Sequence, residues 1–589
     1  MIASAEKEKI RETAPVVQFQ SEPPSHNPLV PSSPMAVRRK DNGIVLDWAL
    51  PLDVTPAEVG AEVGPNIVMR SEREVQKYPT SSRARTNLAV ALANTGEVSR
   101  AITVFREALE LNRSDYVAAS TLGRVLVEQN RLDEAEIVYK DLRARFPRNL
   151  TPLISLAILV MRRGQFDEAE RLLREGKSFG VNNAALDYHL AVLLLRRGDP
   201  GAAIRQLRNA LEVDGRSPSL YQVLGIAYAL AGNDAKSSRA FNTALKLAPH
   251  FGDAVRGLSN ILLRVGQVDA AIDGLSQYLQ KSPGDSEARL ILARGYLEKR
   301  RFSSARAQFA EVYECAPEST NSDKGKKSEL ANDIAVCYYG ERELNTAERW
   351  FVKALDLSPS HGALPYRNLG GLYMQLDRPQ SAIPILERGK ALFADPKIPV
   401  LLSVAWELSG RTDRAITELQ PLADAEISEV SVYAALGCYL GDMLQYTRAL
   451  AVLEKGRTMF PHDDLIANNL AYMYLMADRV SEARQVLEST NTEDVVLTAT
   501  RGLLLLKEGD IEGARRRYSA AATLASQKGN RDLAETARQK MHLEFARYFL
   551  SRGNNAAASL EIEKGLKVRK GRRAYREDLE RVRESLMKN

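Results

Sequence analysis

The sequence predicts an all-α solenoid of helix-turn-helix repeats, and three columns of residues predict it. Small side chains recur every 34 residues at Ala101, Ala135, Ala169, Ala203, Ser237, Ala271 and Ala305. Thirteen positions earlier stands a large apolar residue, at Leu88, Leu122, Leu156, Leu190, Leu224, Leu258 and Leu292. Four positions after the small residue, one helical turn along the same face, come Phe105, Tyr139, Leu173, Leu207, Phe241, Leu275 and Phe309. A fixed period makes length proportional to copy number, so the 589 residues do not imply four domains of about 150 residues each. They imply about fourteen copies of one unit between Ser82 and Lys567.

Each unit reads as a first helix, a turn at Gly or Asn (Gly96, Asn130, Gly164, Gly198, Gly232, Gly266), a second helix and a break. Pro147, Pro249, Pro283 and Pro317 supply the break, because proline lacks an N–H and restricts the residue before it. The small column lets the second helix approach the first closely. The Leu and aromatic columns fill the space between them.

A 34-residue helix-turn-helix with these columns resembles the tetratricopeptide repeat family. The stretches that carry the resemblance best are Tyr221-Gln-Val-Leu-Gly-Ile-Ala-Tyr228 followed by Phe241, Ala244 and Pro249, and Tyr366-Arg-Asn-Leu-Gly-Gly-Leu-Tyr373. The resemblance covers more than four-fifths of the chain. It implies a right-handed superhelix whose first helices line a concave face that takes peptides or protein segments.

In chain order, residues 1–50 are Pro- and Ser-rich (Pro23-Pro24-Ser25, Pro31-Ser-Ser-Pro34) and read as a disordered arm. Residues 51–81 read as a degenerate helical cap ending near Pro79, and 82–320 as units one to seven. Ala347 follows Ala305 by 42 residues, which predicts that the polar insert 321–328, Asn321-Ser-Asp-Lys-Gly-Lys-Lys-Ser328, loops out. That insert reads equally as a junction between two sub-arrays or as tolerated loop growth. Units eight to twelve occupy 329–490, and 491–567 hold units thirteen and fourteen with irregular spacing. Residues 568–589 read as a basic capping helix, since an array needs its last apolar face covered.

Composition narrows the function. Charged residues make up 26% of the chain, and no apolar run approaches the roughly 20 residues of a spanning helix, so no membrane insertion is expected. Cys315, Cys337 and Cys438 are three in number and form no C-x-x-C pair, which argues against a disulfide framework and structural zinc and favours a cytoplasmic setting. The start, Met1-Ile-Ala-Ser-Ala-Glu-Lys-Glu-Lys9, alternates charge where a secretory signal needs an apolar stretch.

No catalytic constellation stands out. Gly176-Lys-Ser178 ends like a phosphate-binding loop, but Arg171 occupies the place of the required first glycine and the stretch lies within a second helix. H-E-x-x-H and G-x-S-x-G are absent, and His250, His361 and His462 sit at separate unit boundaries. No enzyme activity, cofactor or metal is expected. Arg162-Arg163, Arg196-Arg197 and Lys299-Arg300-Arg301 end first helices, where cations complement the helix dipole.

The last 25 residues carry nine basic and four acidic side chains, five of the chain's net six positive charges. Arg569, Lys570, Arg572, Arg573 and Arg576 form the densest part. This supports an alternative role, contact with nucleic acid or an acidic partner, although only Tyr575 interleaves the cluster and a solvated capping helix explains it as well.

For a peptide-binding role, the resemblance directs attention to the first helices. The carboxylate-clamping subtype of the family is not matched: Arg256 and Asn260 suit its first slots, but Ile291 and Asp333 stand where Asn and Arg belong. Local clusters remain at Arg367, Asn368 and Met374 in unit nine, and at Asn468, Asn469, Tyr472 and Met476 in unit twelve. Amide, Arg and aromatic groups beside adaptable Met suit peptide recognition, while Asn before the Leu column is also ordinary repeat sequence. The sequence therefore points to a non-catalytic protein-interaction scaffold or adaptor. It would serve as an assembly or regulatory factor of a multiprotein complex, bacterial envelope and secretion machinery being candidate settings.

Overall fold

The computed structural model describes residues 38–40, 43–45, 65–490, 492–568 and 573–588. Within them lie thirty α-helices and one two-stranded ribbon. Twenty-eight of the helices form fourteen consecutive pairs, from Ser82–Asn94 with Val98–Leu111 to Arg531–Ser551 with Asn555–Leu566. Helices Pro65–Lys77 and Arg573–Lys588 flank the pairs. The array divides into two compact bodies, one holding the pairs up to Cys315 and the other the pairs from Asn321 onward. Each is an all-α solenoid in which a helix packs chiefly on its sequence neighbours.

The columns explain the packing. All fourteen small residues, from Ala101 to Ala558, have no exposed surface, and Phe105, Leu173, Leu207, Phe241 and Leu275 are equally enclosed. Ser237 keeps its place in the small column because its Oγ donates to the carbonyl of Gly225, 2.7 Å away, in its own unit's first helix. Around the ring of Phe241, the facing first helices carry glycine. A Cβ on Gly225 would lie 2.8 Å from the ring of Phe241, and one on Gly257 would lie closer still. The turns between paired helices use a left-handed residue, Gly in units one, three to six, ten, thirteen and fourteen, but Asn130, Arg300, Leu444 and others elsewhere.

Two further ties follow the repeat. The first-helix N-caps Ser81, Asp115, Asn149 and Asn183 are again 34 residues apart, each accepting from a backbone N–H. Asp115 also accepts from Ser82 and Thr86 of the preceding unit, at 2.6 and 3.0 Å. Burial pushes its carboxyl upward, and these hydrogen bonds outweigh that and hold it below the usual range. The cations that end first helices do more than face a dipole. Arg163 and Arg197 each bridge two carboxylates on the preceding second helix, Asp133 with Glu136 and Asp167 with Glu170. Lys299 pairs with Asp269 at 2.6 Å.

Two expectations need correction. The insert 321–328 is not a loop: it is the start of a 20-residue helix, Asn321–Gly340. Thr320 and Asp323 form a reciprocal capping box that starts it. Tertiary packing then holds it, since Lys327 pairs with Glu318 at 2.7 Å, Ser328 donates to the Ala354 carbonyl, and Gly325 lies against the His361 ring. Within the segment read as a disordered arm, Arg38–Lys40 and Gly43–Val45 pair as an antiparallel ribbon, Arg39 opposite Ile44. The β-branched pair Ile44-Val45 favours a strand, a local preference masked by the Pro/Ser-rich composition around it. The other residues of 1–64 lie outside the described residues.

Candidate protein-binding face

Among the described residues no group of three or more His, Cys, Asp and Glu side chains is placed to hold a metal ion, and no helix is long and apolar enough to cross a membrane. Gly176 is buried against Leu150 and Leu186 inside helix Phe166–Ser178, which is helix packing rather than a phosphate cradle. Cys337 and Cys438 are buried and Cys315 is exposed.

The unit-nine cluster faces its neighbours in the array. Asn368 is 1% exposed and its Nδ2 donates to Oδ1 of Asn332 in unit eight at 2.8 Å, while Asn332 in turn donates to Asp333 at 3.3 Å. Arg367 pairs with Asp395 of unit ten at 3.3 Å. Met374 is half-buried against the core of units eight to ten.

Unit twelve is similar. Asn468 accepts from Thr500 of unit thirteen at 2.7 Å and donates to Asn469 at 3.2 Å. Asn469 donates to the Ala434 carbonyl and Cys438 Sγ of unit eleven. Tyr472 is 3% exposed, with Lys540 Nζ 4.6 Å from its ring centre. Burial pushes the Tyr472 hydroxyl well above its ordinary value, Glu544 adds to this and Arg547 opposes it. Met476 is half-buried. The amides chosen from the sequence are thus spent on bridges between successive first helices, and Tyr472 is covered by the chain's own later residues.

Hydrogen-bonding capacity is left over elsewhere. On the first helices of units four, five and six, His189 Nδ1, Gln222 Oε1 and Asn260 Oδ1 are buried atoms without a hydrogen-bond partner, as is Arg196 Nε. His189 and Gln222 are 1% and 2% exposed. Burial pushes the His189 imidazole down to about 4, so it is neutral at physiological pH. Leaving such groups unmatched costs about 1–3 kcal/mol each. His189 occupies the same inward column as Asn87 and Thr121, and nothing in the sequence separates it from them, because the signal is a missing partner rather than a residue type.

Of the basic tail, Arg569, Lys570 and Arg572 lie outside the described residues. Arg573 begins the last helix, and Arg576 donates to the Val568 carbonyl at 2.9 Å. Tyr575 and Leu579 of that helix pack against Leu543, Ala546 and Ile562.

These features meet known proteins as follows. A relative from Bos taurus, "BBSome complex member BBS4", is 25% identical over 321 residues, 53% of this chain and 59% of the relative. The chain thus matches a little over half the length of that relative. Among solved structures, the APC/C hetero-tetramer Cut9-Hcn1 aligns over 77% of this chain and 92% of its own, at 16% identity and a TM-score of 0.32. PilW, titled a widely conserved type IV pilus biogenesis factor, aligns over 36% of this chain and 98% of its own, at 16% identity and a TM-score of 0.33. One tetratricopeptide repeat family model matches residues 96–149, 126–193 and 262–322, and a second matches 72–116, 188–250, 235–286 and 434–492. Together the two cover more than half of the 589 residues, and the chain belongs to the tetratricopeptide repeat family.

Proposed function

We propose that the protein is a non-catalytic scaffold that gathers protein partners into a complex, and that the first helices of units four to six hold an extended partner segment. One observation carries the location: His189, Gln222 and Asn260, on three successive first helices, retain buried polar atoms with nothing to bond. A peptide backbone offers alternating N–H and C=O groups that complement such atoms; half-buried Asn260 is nearest to its reach, and the enclosed His189 and Gln222 meet it by turning outward, so that several modest contacts spread along an array give affinity without a deep pocket. The matched relative's name describes a member of a complex, in keeping with this reading. The buried thiols of Cys337 and Cys438 suit a reducing, cytoplasmic setting.

The experiment places a photo-crosslinking residue at Asn260 or, as a control, at the exposed Ile137 of the second helix of unit two. Crosslinks to one partner from position 260 and none from 137, lost on Gln222→Ala, are expected. Equal crosslinking from both positions would remove these units from the binding surface.

A further inference from the structure

The repeat register explains why the inward face of units four and five keeps unmatched groups. Where successive first helices are riveted, as in Asn332 with Asn368 and Asn468 with Thr500, the two residues stand fifteen places before one unit's small residue and fourteen before the next unit's. The same register sets His189 opposite Ile154 and Gln222 opposite Gly257. Neither isoleucine nor glycine has a side chain that can hydrogen-bond, so the array cannot satisfy these two residues from within.

A cation on the same helix is left over in the same way. Arg196 lies seven residues, two helical turns, after His189 and shares its face. It is half-buried, its Nε is enclosed and unbonded, and no carboxylate among the described residues pairs with it. Burial is the sole influence on its pKa, which it lowers. Its counterpart two units on, Arg264, pairs with Asp234, but in unit three the place of Asp234 is taken by Phe166, which cannot pair. Arg145 and Arg367 also bury an unbonded Nε, yet each has a carboxylate, Asp141 and Asp395. A helix C-terminus favours a cation without a partner, but that attraction requires no burial, and desolvating a guanidinium is costly.

We propose that the segment held by units four to six is acidic, and that Arg196 binds the side-chain carboxylate of an Asp or Glu within it. This rests on the reading that these first helices hold an extended segment, and adds the chemistry of that segment. A planar guanidinium matches one carboxylate with two parallel hydrogen bonds, and a half-buried setting strengthens the pair over one in open water. An extended chain sends alternate side chains to one side. One carboxylate then faces Arg196, and backbone groups further along the segment meet Gln222 and Asn260.

Two fluorescent peptides, one of four Val-Glu repeats and one of four Val-Gln repeats, both blocked at each end, are titrated into the full-length chain. The glutamate peptide is expected to bind about tenfold more tightly than the glutamine peptide, the preference of one charge-assisted pair. Arg196→Gln is expected to remove that preference, Arg196→Lys to keep roughly a third of it, and Arg576→Gln in the last helix to leave it unchanged. Arg196→Gln breaks no ion pair and is expected to unfold at the parent's urea midpoint, which separates a binding role from a structural one. No glutamate preference in the parent chain, whether both peptides bind alike or neither binds, overturns the proposal, and so does a preference that survives Arg196→Gln. A glutamine peptide with a free C-terminal carboxylate that matches the glutamate peptide overturns it too, because a chain end then supplies the anion. Crosslinking from Asn260 reports separately: its failure removes the face itself, whereas crosslinking without a glutamate preference leaves the face and removes only its acidic occupant.

Discussion

Asn368 of unit nine and Asn332 of unit eight form a hydrogen bond of 2.8 Å between two side chains that are 1% and 0% exposed. The bond spans 36 residues of sequence and joins two successive first helices. A residue that resembles a peptide-binding amide is here a rivet between units. Asn368→Ala leaves Asn332 short of a partner in an enclosed site and is expected to destabilise units eight and nine by about 1–3 kcal/mol. Hydrogen exchange of helix Leu364–Gln375 measures this; unchanged protection would return Asn368 to the list of binding residues.

Gly257 is the clearest steric prediction. Its missing Cβ leaves room for the ring of Phe241, which has no exposed surface. Gly257→Ala forces the ring or a helix to move, and overpacking of this kind costs about 1–3 kcal/mol. Helix propensity works the other way, since alanine favours a helix over glycine by about 1 kcal/mol. A variant more stable than the parent in urea would show that propensity outweighs the clash.

His189 makes stability depend on pH. Its folded value of about 4 lies below the ordinary 6.5, so the unfolded chain binds the extra proton. The cost is absent above pH 6.5, grows as pH falls toward 4, and reaches about 3 kcal/mol there, at about 1.4 kcal/mol per unit. His189→Phe is expected to flatten the decline in protection of helix Ala184–Arg196 between pH 6.5 and 4. An identical decline in the variant assigns the acid sensitivity to other groups.

Arg163 and Arg197 set the opposite limit. Their carboxylate partners include Asp133 and Asp167, at 98% and 93% side-chain exposure, where water screens the attraction. Arg163→Ala or Arg197→Ala is expected to cost less than about 1 kcal/mol, and less again in high salt. A loss of several kcal/mol in either variant would mean that the ion pairs, rather than the apolar columns, hold successive units together.

The repeat was legible in the sequence because packing imposes it on residue size: a small residue where helices touch, and a Leu or an aromatic ring four positions later. The N-cap column from Ser81 to Asn183 was equally regular and was missed, because Ser, Asp and Asn differ in type while doing the same work on a backbone N–H. The insert before unit eight misled for a physical reason. Asn321, Ser322, Asp323 and Gly325 lower intrinsic helix preference, but the Thr320 cap and the burial of Gly325, Lys327 and Ser328 override it. The candidate site was legible only as residue types. Whether Asn368 meets a partner or Asn332 depends on a contact 36 residues away, and the unmatched Nδ1 of His189 follows from the surroundings that enclose it.

The cover over Tyr472 also has a consequence in time. Most units need only the next one to complete their packing, so they can mature as the chain leaves the ribosome. Tyr472 is different, because the groups that act on it extend to Tyr575, 103 residues later. At a synthesis rate of about 5–20 residues per second, its face stays uncovered for roughly 5–20 s in every nascent copy. The burial of Tyr472 is therefore completed long after its own unit has been made.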